Sequence, residues 1–248
     1  MSWVLVFAMS LALGPLDWRE SGVDVIRAMH DRYASKWYDT LILAQTVNYY
    51  ASGTGALDSA RVWYESIKLP GVVRSDVAPL DNGNGEVFRD DSVYIFEGDS
   101  IVRSRPALHP VLILGFDIYV QPVEETVAKL EQFGFELDKL GEAEWEGRPV
   151  HVVGAASGDE IASQFWVDME NLLCVKLVAV NRTTGVIREV QFKSYEPLGG
   201  GWIATELVFL RDGQVTISER YNFWEIDVDL DPRLFATRER ARPTWVRN

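Results

Sequence analysis

The sequence predicts a mainly β (α+β) fold, a strongly curved antiparallel sheet covered by helices. Two observations predict it. The last hundred residues alternate apolar and polar side chains in short runs joined by tight turns, and strands joined in that way lie side by side. Two stretches of helical spacing, one near the start and one in the middle, interrupt the strands; helices inserted so cover one face of a sheet.

Trp3 to Leu13 is an apolar run with the length of a secretory leader's core, too short for a bilayer, which takes ~20 residues. No Lys or Arg precedes it. The expected division is a leader over 1–22, one domain over 23–240 and a tail over 241–248. Val23 to Trp37 sets Val23, Ile26, Met29, Tyr33 and Trp37 at helical spacing, with Ser21 or Asp24 to cap it. The period then changes. Leu41, Leu43, Val47 and Tyr49 alternate with Thr40, Thr46 and Asn48, which reads as a long half-buried strand. A Gly/Ser-rich loop, Ala51 to Asp58, leads to a strand over Arg61 to Val77 broken at Pro70-Gly71. Asp81 to Gly85 is a turn, and Glu86–Arg89 and Ser92–Phe96 pair around Asp90-Asp91. Glu97 to Asp99 turns into Ser100–Ser104.

His109 to Val120 is strongly apolar. Pro122 to Leu140 then carries Val123, Val127, Leu130, Phe133 and Leu137 at helical spacing, which predicts one helix or two. Glu142 to Gly154 reads as two strands about Glu146-Gly147, and Ser163 to Met169 as another. Leu173–Val180, Val186–Tyr195, Trp202–Arg211 and Gln214–Phe223 follow as successive strands. No linker or repeat divides the chain, so one domain is expected.

Composition narrows the function. Of 248 residues 47% are hydrophobic, enough for a sizeable core, and a 12% aromatic share suits a sheet or a wide apolar pocket. A net charge of −13 repels phosphate backbones and anionic head groups, so nucleic acid is excluded as a partner class. The single cysteine, Cys174, lies in the apolar run 172–175 and reads as a small buried hydrophobe.

No catalytic constellation stands out. His30, His109 and His151 have no metal-ligand spacing, and Gly53-Thr54-Gly55 lacks the lysine of a phosphate loop. Glu142, Glu144 and Glu146 flank a hairpin turn and read as a solvated face. His109 reads as a loop residue or as part of a pocket mouth. No enzyme activity, metal or cofactor is expected. What remains is the inward face of the sheet, where the alternation gathers Leu43, Val47, Trp63, Ile67, Phe165, Val167, Phe192, Leu207, Phe209, Tyr221 and Phe223. These residues either pack on the helices as an ordinary core or line a cavity that two or three helices leave unfilled.

The order of parts carries a resemblance. An apolar leader, the helix Val23–Trp37 and the strand Leu41–Tyr50 precede Val62 to Asp76, an apolar stretch followed by Pro70, Arg74 and Asp76. With Gly85 to Phe96, Phe165 to Asp168 and Phe223 to Phe235, this resembles the LolA family of periplasmic lipoprotein carriers and outer-membrane lipoprotein-sorting proteins. The resemblance implies an incomplete antiparallel barrel closed by helices around a hydrophobic cavity. It places the protein in the periplasm or cell envelope, as carrier or sensor of lipid acyl chains or an acylated lipoprotein. Envelope membrane proteins would then be its other partners. It assigns Arg74 to holding a lid shut, and the helix over Pro122 to Leu140 would be the gate. The chain departs from the carriers in extra loops near 51–58 and 141–158. The other reading is an envelope protein-interaction module with a solid, ligand-free core.

Overall fold

A computed structural model describes residues 20–246 except 99, 160 and 239, and its first element is α1 (Gly22–Tyr33). Residues 1–19 of the expected leader lie outside the described residues. The last part of that segment belongs to the fold. The Ser21 hydroxyl accepts from the Asp24 amide at 3.3 Å, and the Asp24 carboxylate accepts from the Ser21 amide at 3.1 Å. This capping box satisfies free amides at the helix start. Val25, Ile26, Met29 and Tyr33 form the buried face. The helix stops at Tyr33, earlier than the Trp37 that spacing suggested.

The first meander comprises β1 (Thr40–Tyr50), β2 (Leu57–Lys68), β3 (Val72–Val77), β4 (Gly85–Arg89), β5 (Ser92–Glu97) and β6 (Ser100–Pro106). A helical insert follows: α2 (Pro110–Gly115), a 3-10 turn over Asp117–Tyr119 and α3 (Val123–Gln132). The second meander is β7 (Leu140–Trp145), β8 (Arg148–Val153), β9 (Gln164–Asp168), β10 (Cys174–Val180), β11 (Ile187–Leu198), β12 (Gly201–Arg211) and β13 (Gln214–Ile226). Both join where β1 pairs with β13, giving one 13-stranded antiparallel sheet. Its edges, β6 and β7, do not meet, so the barrel stays open. The segment near 141–158, expected as an extra loop, is largely the β7–β8 hairpin and the edge of the sheet.

The helix expected over Pro122 to Leu140 is shorter. It ends at Gln132, and Gly134 at φ +82° breaks it, a conformation glycine adopts without strain. Phe133 and Phe135 therefore leave the helix instead of continuing its apolar stripe.

Cross-strand register builds a continuous apolar inner face. Leu140, Val153, Phe165, Leu177, Val190, Phe209, Ile217 and Tyr49 oppose one another in turn from β7 across to β1. Leu41, Ile67, Val73, Phe88 and Val93 form a second row from β1 to β5. Each pair adds to sheet stability because side chains directly opposite are in contact. The helices lie on this face. Trp37 stacks on Tyr119 with ring centroids 4.0 Å apart, and Tyr33 meets both edge-on. A Cβ on Gly201 would overlap the Trp37 ring, so only glycine lets β12 approach so closely.

Two expected positions change sides. β13 carries one extra residue opposite β1: Ala44 pairs with Phe223, but Gln45 pairs with Tyr221. The bulge at Asn222 shifts the alternation. Tyr221 faces inward with Gln45, while Phe223 faces outward beside Ala44 and is 45% exposed. Arg74 also lies on the outer face, opposite Ser66 and Val87. It is 2% exposed and donates to both Asp76 carboxylate oxygens, at 2.6 and 2.7 Å. It also donates to the Leu234 carbonyl at 3.0 Å and to the Ala241 carbonyl. Arg74 thus fastens the C-terminal segment to the back of the sheet and touches no lid over the concave face. Residues 241–246 are seated there too: the Trp245 indole donates to Ser66 at 3.0 Å and stacks on Phe223.

Replacing Arg74 with Met leaves the Asp76 carboxylate buried without a partner, a defect that costs about 3–5 kcal/mol. Urea unfolding will show that loss, and limited proteolysis will show faster cleavage beyond residue 230. A Gly201→Val change forces the Trp37–Tyr119 stack apart and costs ~1–3 kcal/mol by the same unfolding measurement.

Candidate functional site

The helical insert does not fill the concave face. Toward the β6 side a cavity of about 680 Å³ remains. Phe88, Leu177, Val190, Phe209 and Ile217 form its sheet wall. Leu108, Pro110 and Val111 close it from the segment entering α2, and Phe133 and Phe135 from the segment leaving α3. Arg105, Arg188, Arg211, His109 and Glu189 are the acidic and basic residues on the wall. A smaller hollow of about 200 Å³ lies deeper, beneath α2, between Trp63, Ile67, Val73, Leu207 and Tyr221. The two share His109, Val111 and Phe209 as walls.

The deeper hollow carries acids. Glu65 and Glu86 lie in one cross-strand row through Ser75, and Glu219 approaches from β13. Burial pushes the Glu65 carboxyl up to about 7, against a 2.9 Å hydrogen bond from Ser75, and the neighbouring Glu86 pushes it further. Burial likewise pushes Glu219 up to about 8, helped by Glu65 and Glu86. Glu86 is raised by burial, with Arg105 acting against it. His109 starts α2: its Nδ1 accepts the Leu112 amide at 3.1 Å, and burial pushes the imidazole down to about 4. Its ring meets Phe88 edge-on at 4.8 Å. His109 therefore serves as a neutral helix cap in the wall between the hollows.

The residues expected to line the inner face divide into four groups. Phe209 lines both hollows, and Trp63, Ile67, Leu207 and Tyr221 line the deeper one. Leu43, Phe165, Val167 and Phe192 are buried in the core cluster that holds the helices. Val47 is 1% exposed on the inner face, opposite Arg61 and Glu219. Phe223 is on the other side of the sheet. Sequence reasoning missed Phe133, which was assigned to a helix stripe, and Phe135, Leu177, Val190 and Ile217. The last three continue the alternation of strands already recognised, so the signal was present. Cys174 is fully buried and burial pushes its thiol up, so it is held as the inert neutral form. Among the described residues no group of three or more His, Cys, Asp or Glu could hold a metal ion, and no helix is long and apolar enough to cross a membrane.

The acids make stability depend on pH. Glu65 and Glu219 have folded values above the ordinary carboxylate value, so the folded state holds their protons more tightly than the unfolded chain. Their contribution is intact below about 4.5 and is lost as pH rises through about 7 and 8. His109, shifted down, acts in the opposite sense, losing stability as pH falls from about 6.5 toward 4. Chemical denaturation between pH 5 and pH 9 will show stability declining with pH, and the Glu65→Gln/Glu219→Gln double variant will flatten that decline.

No protein-family model matches the chain, and no curated protein sequence matches it. Solved structures do. A DUF1329 family protein from Desulfovibrio piger is 14% identical, with 87% of this chain and 95% of that one covered at a TM-score of 0.59. A domain described as an outer membrane lipoprotein-sorting protein from Vibrio parahaemolyticus is 13% identical, covering 86% and 95% at 0.57. A LolA superfamily protein from Nitrosomonas europaea is 12% identical, covering 85% and 97% at 0.53. At these identities the likeness is one of architecture: the chain has a LolA-like fold.

Proposed function

We propose that the protein is a non-catalytic binder of lipid or of an acylated protein, acting in the cell envelope as a lipoprotein carrier or sensor. The apolar hollow of about 680 Å³ carries this reading. Its volume lies in the range of pockets that take small ligands. Its walls are supplied by the inner row of the sheet and by the two segments flanking the helical insert. Acyl chains would leave water for this wall, each buried methylene contributing ~0.8 kcal/mol. Likeness in fold to a lipoprotein-sorting domain and to a LolA superfamily protein supports the same reading.

The segments over 107–111 and 133–135 would form the gate, since both cover the hollow without belonging to a strand. Opening them exposes apolar side chains and leaves the hydrogen bonds of the sheet intact. This moves the expected gate from the body of α3 to the chain at its end.

Lipid extraction of the purified protein followed by mass spectrometry should recover acyl-bearing molecules, and a fluorescent apolar probe should bind at one site. Ala179 lies on the cavity wall, and Ala179→Phe fills part of the space. Probe affinity should fall about tenfold in that variant, with the melting temperature little changed. A protein that carries no lipid and binds no probe defeats the proposal.

A further inference from the structure

We infer that the hollow takes an anionic amphiphile tail-first, with its phosphate or carboxylate head held at the mouth by Arg105, Arg188 and Arg211. The inference rests on the binding function proposed above and names the chemistry of its ligand.

The first observation is the placement of the arginines. In a chain of net charge −13, three arginines line the same apolar cavity. Arg188 on β11 and Arg211 on β12 are directly opposed in register. Like charges facing each other across a strand pair destabilise the pair, so this arrangement works against the sheet unless something anionic sits between them. Arg105 approaches from β6, beyond the far side of the concavity.

The second observation is that these guanidiniums are available. Among the described residues, the side chains of Arg105 and Arg188 make no ion pair or hydrogen bond, Arg105 acting on Glu86 only through its charge, and Arg211 reaches only Asp212, at 3.8 Å. The acid on the same wall is engaged elsewhere: Glu189 accepts from Gln191 at 2.6 Å and pairs with Lys176 at 3.3 Å. All three arginines are exposed, so they stay hydrated and charged until a head group arrives. Guanidinium forks match the oxygens of phosphate and carboxylate.

The third observation sets direction. Glu65, Glu86 and Glu219 stand at the deep end, past the wall shared by the two hollows. Gln45 is 1% exposed in the same row as Trp63 and Tyr221; its Nε2 donates to Glu65 at 3.2 Å and its Oε1 has no partner. An anionic head buried there would lose its water with no Arg or Lys on the wall of that hollow to replace it. The alkyl tail therefore points inward and the head stays at the arginines.

Three single-chain probes test this: dodecyl phosphate, dodecanoate and dodecanol, each displacing the fluorescent apolar probe from the full chain. Both anions should bind about tenfold more tightly than dodecanol in low salt, with the advantage shrinking as salt is raised. The ratio between the two anions tells a phosphate head group from a free fatty carboxylate. In Arg188→Gln/Arg211→Gln the anion advantage should disappear while dodecanol affinity is kept, which also shows that the variant is folded. Equal affinity for anions and alcohol in the wild type, or an unchanged preference in the double variant, overturns this inference alone. Failure of dodecanol itself to bind overturns the binding function with it.

Discussion

The sheet has to bury a concave apolar face that its own helices are too short to cover. Rows of opposed side chains run across both meanders, from Leu140 to Tyr49 and from Leu41 to Val93. Burial of such surface dominates folding energetics, at roughly 25 cal/mol per Å². Yet the insert between β6 and β7 supplies only a six-residue helix, one 3-10 turn and a ten-residue helix. At one end Tyr33, Trp37 and Tyr119 pack together and Gly201 admits the Trp37 ring, which leaves that end filled. The other end receives only the first residues of α2 and the chain on either side of the insert. The position of the hollow follows from that unequal filling.

The outer face is solved by different means. On the back of β3 the chain buries an ion pair, Arg74 with Asp76, and uses the remaining guanidinium donors on two C-terminal carbonyls. A buried pair of this kind adds little net stability compared with an apolar pair, but it is directional. Here it selects where the C-terminal segment lies. Leu234 and Phe235 are buried, and Arg240 stands over the Phe96 ring at 3.8 Å. Hollows of about 520 and 500 Å³ nevertheless remain on the back, against Trp245 and Leu234, beside the one of about 680 Å³ on the concave side.

Strand positions were largely legible because a half-buried strand repeats every two residues, and β1, β4, β5 and β10 to β13 carry that repeat with turn residues between them. The face of each side chain was less legible. One extra residue at Asn222 reverses the alternation within β13, and nothing in the local sequence announces it, since bulge positions depend on the partner strand. Extending the repeat past it sent Phe223 inward. The helix over Pro122 to Leu140 failed for another reason: Phe133 and Leu137 fit the spacing by coincidence, and Gly134 was the signal that outweighed them. Arg74 and Asp76 are two apart on one strand and must share a face, so their pairing was readable even though its location on the outer face was not. A hollow cannot be read from alternation at all. The same pattern serves a packed core and an empty one, and Leu43 and Phe165 ended in the core while Trp63 and Phe209 met space.

The charges inside the concavity follow depth, and depth decides which of them survive. A guanidinium at the mouth keeps its water and its charge. A carboxyl at the floor loses water on burial, and its neutral form is favoured, as at Glu65 and Glu219. The two hollows therefore pass from positive charge at the entrance, through a shared apolar wall, to acids whose neutral forms burial favours. Neutral acids tolerate an alkyl chain end better than carboxylates would, since no hydration shell has to be stripped when the chain arrives. Raising pH restores charge at the floor, so the deep end becomes hostile to hydrocarbon. The polarity of the hollow is thus a consequence of solvent access along one curved sheet, and it needs no moving part to impose an orientation on what enters.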